Sequence, residues 1–314
     1  MNLGQLFDII LLGAVVLAAL LGVCMKKRGA ATAIFLVFGV LLALLWARFN
    51  APDIALAEAA LGGGIAGALL VDALERRRPV AIDSSPTTHT PGIVIAAIAG
   101  AGSLAMLLEV TKQLDFAPGP LAAAALAETG RTGVSHPVTA VLLSYRSLDT
   151  LLEIAVLTIA AFAARALGHE RVLPVPHQDP IRRVLALFIL PVLALLVMWV
   201  LVAGTSRPGG AFQAGALLGA GLMIAHLCGV PISGLCDRAG LRIIGASLGV
   251  FIAAGAAGLV WTGWWLGFGS RWAGAVILAL ETVLTIGIGT ALAMIFLSAG
   301  ARDADKSRDS AVPQ

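Results

Sequence analysis

Charge is scarce in this chain. Only 12% of its 314 residues are Asp, Glu, Lys or Arg, against about 25% in an ordinary soluble domain. Aromatics make up 6%, with a single tyrosine. A soluble catalytic domain has nowhere to sit, because the longest polar stretch is the tail ARDADKSRDSAVPQ, residues 301–314, which reads as disordered. The cysteines are Cys24, Cys228 and Cys236. All three fall near one face of the apolar array, the cytoplasmic one by the distribution of basic residues, so disulfides are not expected and the spacing fits no zinc pattern. Phosphate loops, HExxH, CxxC and nucleophile triads are missing as well, which argues against an ATPase, a protease or a redox carrier and calls for no cofactor or metal. No lysine lies deep in an apolar run. A proton pump of the antiporter-like type needs one whose charge can be lost on desolvation. The net charge of +3 comes from Lys and Arg beside apolar runs and is no sign of nucleic-acid binding.

What the chain has is grease. It is 59% hydrophobic with mean hydropathy +0.96. A helix needs roughly 20 mostly apolar residues to cross the hydrocarbon core, and such runs occur at 4–25, 30–49, 53–74, 92–111, 137–167, 184–203, 209–229, 240–263 and 272–299. The fold class is therefore all-α, a polytopic helix bundle of about nine spans lying in a lipid bilayer. The fifth run is too long for one span. Its first part, PVTAVLLSYRSLDT, carries Arg146 and Asp149 and reads as a short segment that breaks before a span beginning near Leu148. The opening MNLGQLFDII lacks a basic start and a small-residue cleavage site before KKRG, so it reads as a retained helix.

Orientation follows from the basic residues. With the N-terminus outside, only Arg48, Lys112, Arg131, Arg146, Arg207 and Arg271 of the 21 Lys and Arg lie outside, and the rest, with the C-terminus, are cytoplasmic. Trp261, Trp264, Trp265 and Trp272 then gather at the outer interface, where indole prefers to sit.

Carboxylates within apolar runs are costly and tend to mark ion paths. The stretch APDIALAEAALGGGIAGALLVDALERRR holds Asp53 at its mouth, Glu58 about one and a half turns further in, and Asp72 near the far end. Glu58 reads either as a proton or cation relay or as a structural hydrogen-bonding group. Asp72 reads first as an i,i+4 partner of Arg76. Gly62, Gly63 and Gly67 supply the small-residue spacing that lets a neighbouring helix approach. In SYRSLDTLLEIAVLTIAAF, Asp149 and Glu153 share a helix face, Arg146 can pair with Asp149, and Thr150 and Thr158 can bond the backbone. This set could hold a proton or be an interfacial salt bridge. Glu109 reads as an i,i+3 partner of Lys112, Asp8 and Glu281 are lone acids, and His226 reads as packed. In GTSRPGGAFQAGALLGAGLMIAHLCG, Pro208 can start a helix, Gly209, Gly210, Gly215 and Gly219 offer a smooth packing face, and Gln213 can bond a neighbour.

Three of these stretches carry a family resemblance. PDIALAEAALGGG resembles the PDVALTEAxVGAG signature of a three-span module. That module is found at the C-terminal end of the A-type component of Mrp Na+/H+ antiporters, and as a separate component of related membrane-bound hydrogenases. YRSLDTLLEIAVLTIAA resembles the DFRGxDTLGEITVLxIAA signature of the two-span module that follows it. GTSRPGGAFQAG resembles GHxxPGGGFxGG of the B-type component of the same antiporters. The resemblance implies modules at 1–80, 81–172 and 173–300, and a bundle belonging to a membrane arm related to that of respiratory complex I. It also implies cation–proton exchange by a multisubunit complex with Na+ and H+ as transported ions, in a bacterial or archaeal cytoplasmic membrane. Glu58 would be the family's intramembrane glutamate, Asp149 and Glu153 its DTxGE acids, and Pro208, Gly209, Gly210 and Phe212 its PGGxF turn. Thr205 stands where a histidine is usual, Ser144 replaces an acid, Leu152 and the residues Ala211 and Ala214 replace glycines, and Ala57 replaces a threonine. The antiporter-like subunit would be a separate chain among the partner membrane subunits. A second reading is a membrane-arm subunit of a hydrogenase-like enzyme whose chemistry lies in iron–sulfur partners. A self-sufficient transporter is disfavoured, because the sequence shows neither an inverted repeat nor paired broken helices.

Overall fold

The computed structural model describes residues 2–76, 90–113, 119–167, 180–268 and 271–299. All regular structure among them is helical, and each apolar run coincides with a helix. The chain divides into two compact units, residues 1–76 with 128–314, and residues 77–127.

In the larger unit, α1 (Leu3–Cys24) opens on a capping box in which Asn2 and Gln5 each bond the other's backbone N–H, at 2.8 and 3.0 Å. It packs on α2 (Arg28–Arg48), and Arg48 reaches back to Asp8 with two bonds of 2.6 and 3.0 Å. The lone acid of the first span thus has a cationic partner 40 residues away. Next, α3 (Pro52–Glu58) starts with proline at its first turn, where the missing N–H is no loss. It passes into a π-helical segment, Ala59–Ile65, and then into α4 (Ala66–Arg76). Three successive glycines, poor at holding α-helical pairing, lie in this π segment.

The smaller unit contains α5 (Thr90–Gln113) and α6 (Pro120–Ala127). Lys112 pairs with Glu109 at 3.0 Å, as the spacing predicts.

Chain order returns to the larger unit with α7 (Pro137–Ala140), which runs into a π segment, Val141–Tyr145. The chain breaks at Arg146, and α8 (Ser147–Leu167) begins at once. The break expected in the fifth run is present, and Thr150 Oγ1 closes it by donating to the Leu142 carbonyl at 2.7 Å. Then come α9 (Pro180–Ala203), α10 (Ala211–Leu227), α11 (Arg238–Thr262) and α12 (Ala273–Ala299).

Seven helices among the described residues are long and apolar enough to cross a membrane, and α10 is a shorter apolar helix. The protein is a multi-pass membrane protein. Pro208 does not start α10. Gly209 and Gly210 turn the chain with positive φ, and the helix begins only at Ala211. Trp261, Trp264 and Trp272 are exposed, and Trp265 is half-buried over Gly255, where a Cβ would sit 2.1 Å from the indole.

The core lies where α8, α10, α11 and α12 meet, around Phe251, Met223, Ile244, Met294 and Leu297. Small residues on α10 allow the approach. A Cβ on Gly215 would meet Ile288 Cγ2 at 2.7 Å, and one on Gly219 would meet Leu292 Cβ at 3.0 Å. His226 is buried edge-on to Phe296, as a packed histidine should be. Overpacking this seam with Gly215→Val is expected to destabilise the protein by about 1–3 kcal/mol. A melting curve of the detergent-solubilised protein checks this, and an unchanged midpoint would rule out close α10–α12 packing.

Candidate functional site

The site forms where α9 hands over to α10. The Gly210 N–H folds back to the Val200 carbonyl at 3.0 Å. Gly209 has φ 151° and Gly210 φ 114°, backbone that side-chain-bearing residues rarely adopt. A Cβ on Gly209 would sit 2.3 Å from the Val200 oxygen, and one on Gly210 would sit 2.8 Å from Glu281 Oε1. Glycine is required at both positions.

A helix start leaves N–H groups without intrahelical acceptors, and its positive end attracts anions. Here two carboxylates from distant helices meet that need. Asp53 Oδ1 accepts the Gly209 N–H at 3.0 Å, and Glu281 Oε1 accepts the Ala211 N–H at 3.3 Å. They bracket the turn, one from the start of α3 and one from the third turn of α12.

Asp53 does more. Its Oδ2 lies 2.9 Å from His136 Nε2, and the histidine and aspartate side chains are only 12% and 13% exposed. Its backbone carbonyl accepts the Gln213 amide at 3.4 Å. The segment carrying His136 is fixed to the same turn. The N–H groups of Ser135 and His136 both donate to the Thr205 carbonyl, at 2.9 and 3.3 Å, and Thr139 Oγ1 donates to the Gly204 carbonyl at 2.6 Å. Thr205, where the resemblance expects a histidine, turns its own hydroxyl back to the Val202 carbonyl.

Glu281 is 3% exposed, and its Oε2 has no hydrogen-bond partner among the described residues. It lines a small cavity with Thr139, Thr150, Gln213, Phe212 and Leu284. The room is ≈ 20 Å³, enough for about one water. A carboxyl with one oxygen tied and the other open beside water-sized space can take up and release a proton, or give an oxygen to a small cation.

The other candidates of the sequence lie as follows. Glu58 is partly buried and lays its carboxylate over Gly62, where a Cβ would be 2.4 Å from Oε1. Gly39 of α2 abuts Gly62, and Leu36 abuts Gly67, so these two glycines do admit a neighbour. At Gly63 no described residue lies within 4 Å of where a Cβ would sit. Arg146 pairs with Asp149, but Asp149 is partly exposed and Glu153 is exposed, so this pair of acids faces outward from the chain. The side chain of Asp72 falls outside the described residues. Phe212 and Gln213 line the cavity, and Pro208 leads into the turn. Glu281 and His136 are the additions. Glu281 is visible in the sequence only as a lone acid, and the one signal for it is that a glycine turn opening a buried helix must find an acceptor.

Two stretches of the chain match known families. Residues 13–79 match the family model for the MbhD component of MBH, and residues 181–298 match a domain related to the MnhB subunit of Na+/H+ antiporter. Each match marks what its own stretch is similar to, and neither spans half of the chain. Its fold is similar to that of the Mrp complex from Dietzia sp. DQ12-45-1b, with TM-score 0.72 and 24% identity over 94% of this chain and 34% of that chain. The chain therefore spans about a third of that relative's length. It is also similar, with TM-score 0.54 and 24% identity, to a chain of the membrane-bound sulfane sulfur reductase, an archaeal respiratory membrane complex, over 67% of this chain and 97% of that one. No curated protein matches the chain.

Two adjacent glycines give a test of the π segment. Gly63→Ala is expected to leave stability unchanged within about 0.5 kcal/mol. Gly62→Ala must push the Glu58 carboxylate aside and is expected to lower the melting midpoint. Melting curves of both variants check the contrast, and equal behaviour would contradict it.

Proposed function

We propose that this chain is an accessory membrane subunit of a multisubunit cation–proton antiporter, contributing acids to the ion path and a docking frame to antiporter-like subunits. In this reading the modules at 1–80, 81–172 and 173–300 are the fused counterparts of separate subunits. The nine-span topology has its N-terminus outside, the membrane is a bacterial or archaeal cytoplasmic membrane, and the ions are Na+ and H+. The antiporter-like subunit is another chain.

The observation that carries the reading is Glu281. An intramembrane carboxyl is expensive, and one that lines a water-sized cavity with an unpaired oxygen is retained for what it binds. Glu58, partly buried beside glycines, is a second station. Asp149 and Glu153 face outward, where lipid would be a poor environment for them. They fit a surface covered by a partner subunit that supplies polar or cationic groups. Asp53 has every one of its oxygens engaged, so it fits a structural role better than a conducting one.

The match of residues 13–79 to the MBH component supports a second reading, a membrane-arm subunit of a redox-driven complex. Both readings use the same acids. The soluble partners separate them, since iron–sulfur subunits in a gently purified complex would favour the second.

Glu281→Gln keeps the size of the side chain and its acceptor oxygen for Ala211, and removes the acid. In everted vesicles carrying the whole complex, cation-dependent dissipation of ΔpH is expected to fall by on the order of a hundredfold, with all subunits still co-purifying. Normal exchange would take Glu281 off the path. The chain alone in liposomes is expected to exchange nothing, and robust activity there would end the accessory-subunit reading.

A further inference from the structure

We propose that His136 and Asp53 form a proton-sensitive latch that positions the N-terminus of α10, and through it the hydrogen bond of Glu281. This rests on the reading of Glu281 as an ion-path group.

The latch is built from a few short contacts. Asp53 Oδ1 holds the Gly209 N–H at 3.0 Å, Oδ2 meets His136 Nε2 at 2.9 Å, and the Asp53 carbonyl holds Gln213 at 3.4 Å. His136 is itself fixed through its N–H to the Thr205 carbonyl. Residues 53, 136 and 209 come from three separate parts of the chain, so one carboxylate sets their mutual position. Just beyond Gly209, the Ala211 N–H binds Glu281. The intervening Gly210 is pressed against Glu281 Oε1. A shift of the turn must therefore change the Glu281 environment.

The contact depends on protonation. An imidazolium always presents Nε2–H to the carboxylate, and the bond is charge-assisted. A neutral imidazole presents it only in one tautomer; in the other, a lone pair faces Oδ2 and the contact repels. The charged groups on the surrounding elements are few. They are Asp53 on α3, the exposed Arg207 in the turn, and Glu281 on α12 across Gly210, while α7 and the first turn of α10 carry none. Arg131, upstream of His136, is paired with Glu128 at 2.9 Å. The protonated latch holds the turn in the arrangement described. Loss of the imidazolium proton removes the charge assistance and loosens the turn, so the latch lowers exchange under alkaline conditions.

The test uses the whole complex in everted vesicles and follows the pH profile of exchange. His136→Gln supplies a side-chain N–H near the Nε2 position at every pH. Exchange, normalised to each protein's own maximum, is expected to fall about threefold less in this variant than in wild type on the alkaline limb. Asp53→Asn keeps an acceptor for Gly209 but loses the charge. It is expected to lose exchange on the acidic limb instead. Superimposable normalised profiles for His136→Gln and wild type would overturn the latch. If His136→Gln fails to assemble, hydrogen–deuterium exchange at the histidine C2 position of the wild-type complex decides. A midpoint coinciding with the alkaline limb supports the latch, and no titration of His136 across the profile overturns it. Loss of exchange in Glu281→Gln with an unchanged His136→Gln profile sinks the latch alone. Normal exchange in Glu281→Gln sinks the underlying reading.

Discussion

A buried helix start is a set of amide protons that must find acceptors, because nothing in an apolar interior will hydrate them. At the beginning of α10 that demand falls on Gly209 and Ala211, and two carboxylates meet it from opposite sides. Much of the larger unit is arranged around this exchange. Asp53 sits at the first turn of α3 so that its side chain can reach Gly209, and α12 runs through the core so that Glu281 can reach Ala211. The segment before α7 closes on the same turn through backbone bonds to Thr205. The carboxylates are stabilised by the amide groups and the helix dipole, and the amides by the carboxylates. Neither set would be tolerable in the interior alone.

The glycines serve the same end. Without Cβ atoms at 209 and 210 the turn can reverse against Val200 and lie against Glu281. Gly215 and Gly219 then let α10 approach α12 closely enough to bring an N–H within reach of a side chain on the neighbouring helix. Close packing and polar satisfaction are one constraint here, since a wider helix spacing would strand both the amide and the acid.

How much of this the sequence reveals depends on the range of each interaction. Helices are legible because about twenty apolar residues in a row have few other solutions, and the break at Arg146 is legible because a charged, overlong run cannot be one span. Short-range pairs such as Glu109–Lys112 and Arg146–Asp149 follow from helical periodicity. Asp8–Arg48 and Asp53–His136 do not, because their partners are 40 and 83 residues apart and no local pattern ties them. Glu281 is visible only as an isolated acid, since its partner is a backbone amide, which every residue but proline owns. The π segment at Ala59–Ile65 is not legible either, because spacing rules assume about 3.6 residues per turn.

The same geometry separates the acids into kinds. Asp53 has both carboxylate oxygens and its carbonyl bonded to the turn and to His136, so a change of its charge acts on contacts that hold the fold. Glu281 keeps one oxygen open toward a space the size of a water. Asp149 and Glu153 lie on the outside of the chain, where their environment is set by whatever covers α8. Under the proposed function, transport requires a group that can change its proton or ion state without dismantling the fold. In that proposal Glu281, with its open oxygen, is the exchanging acid and Asp53 is the one that holds the frame.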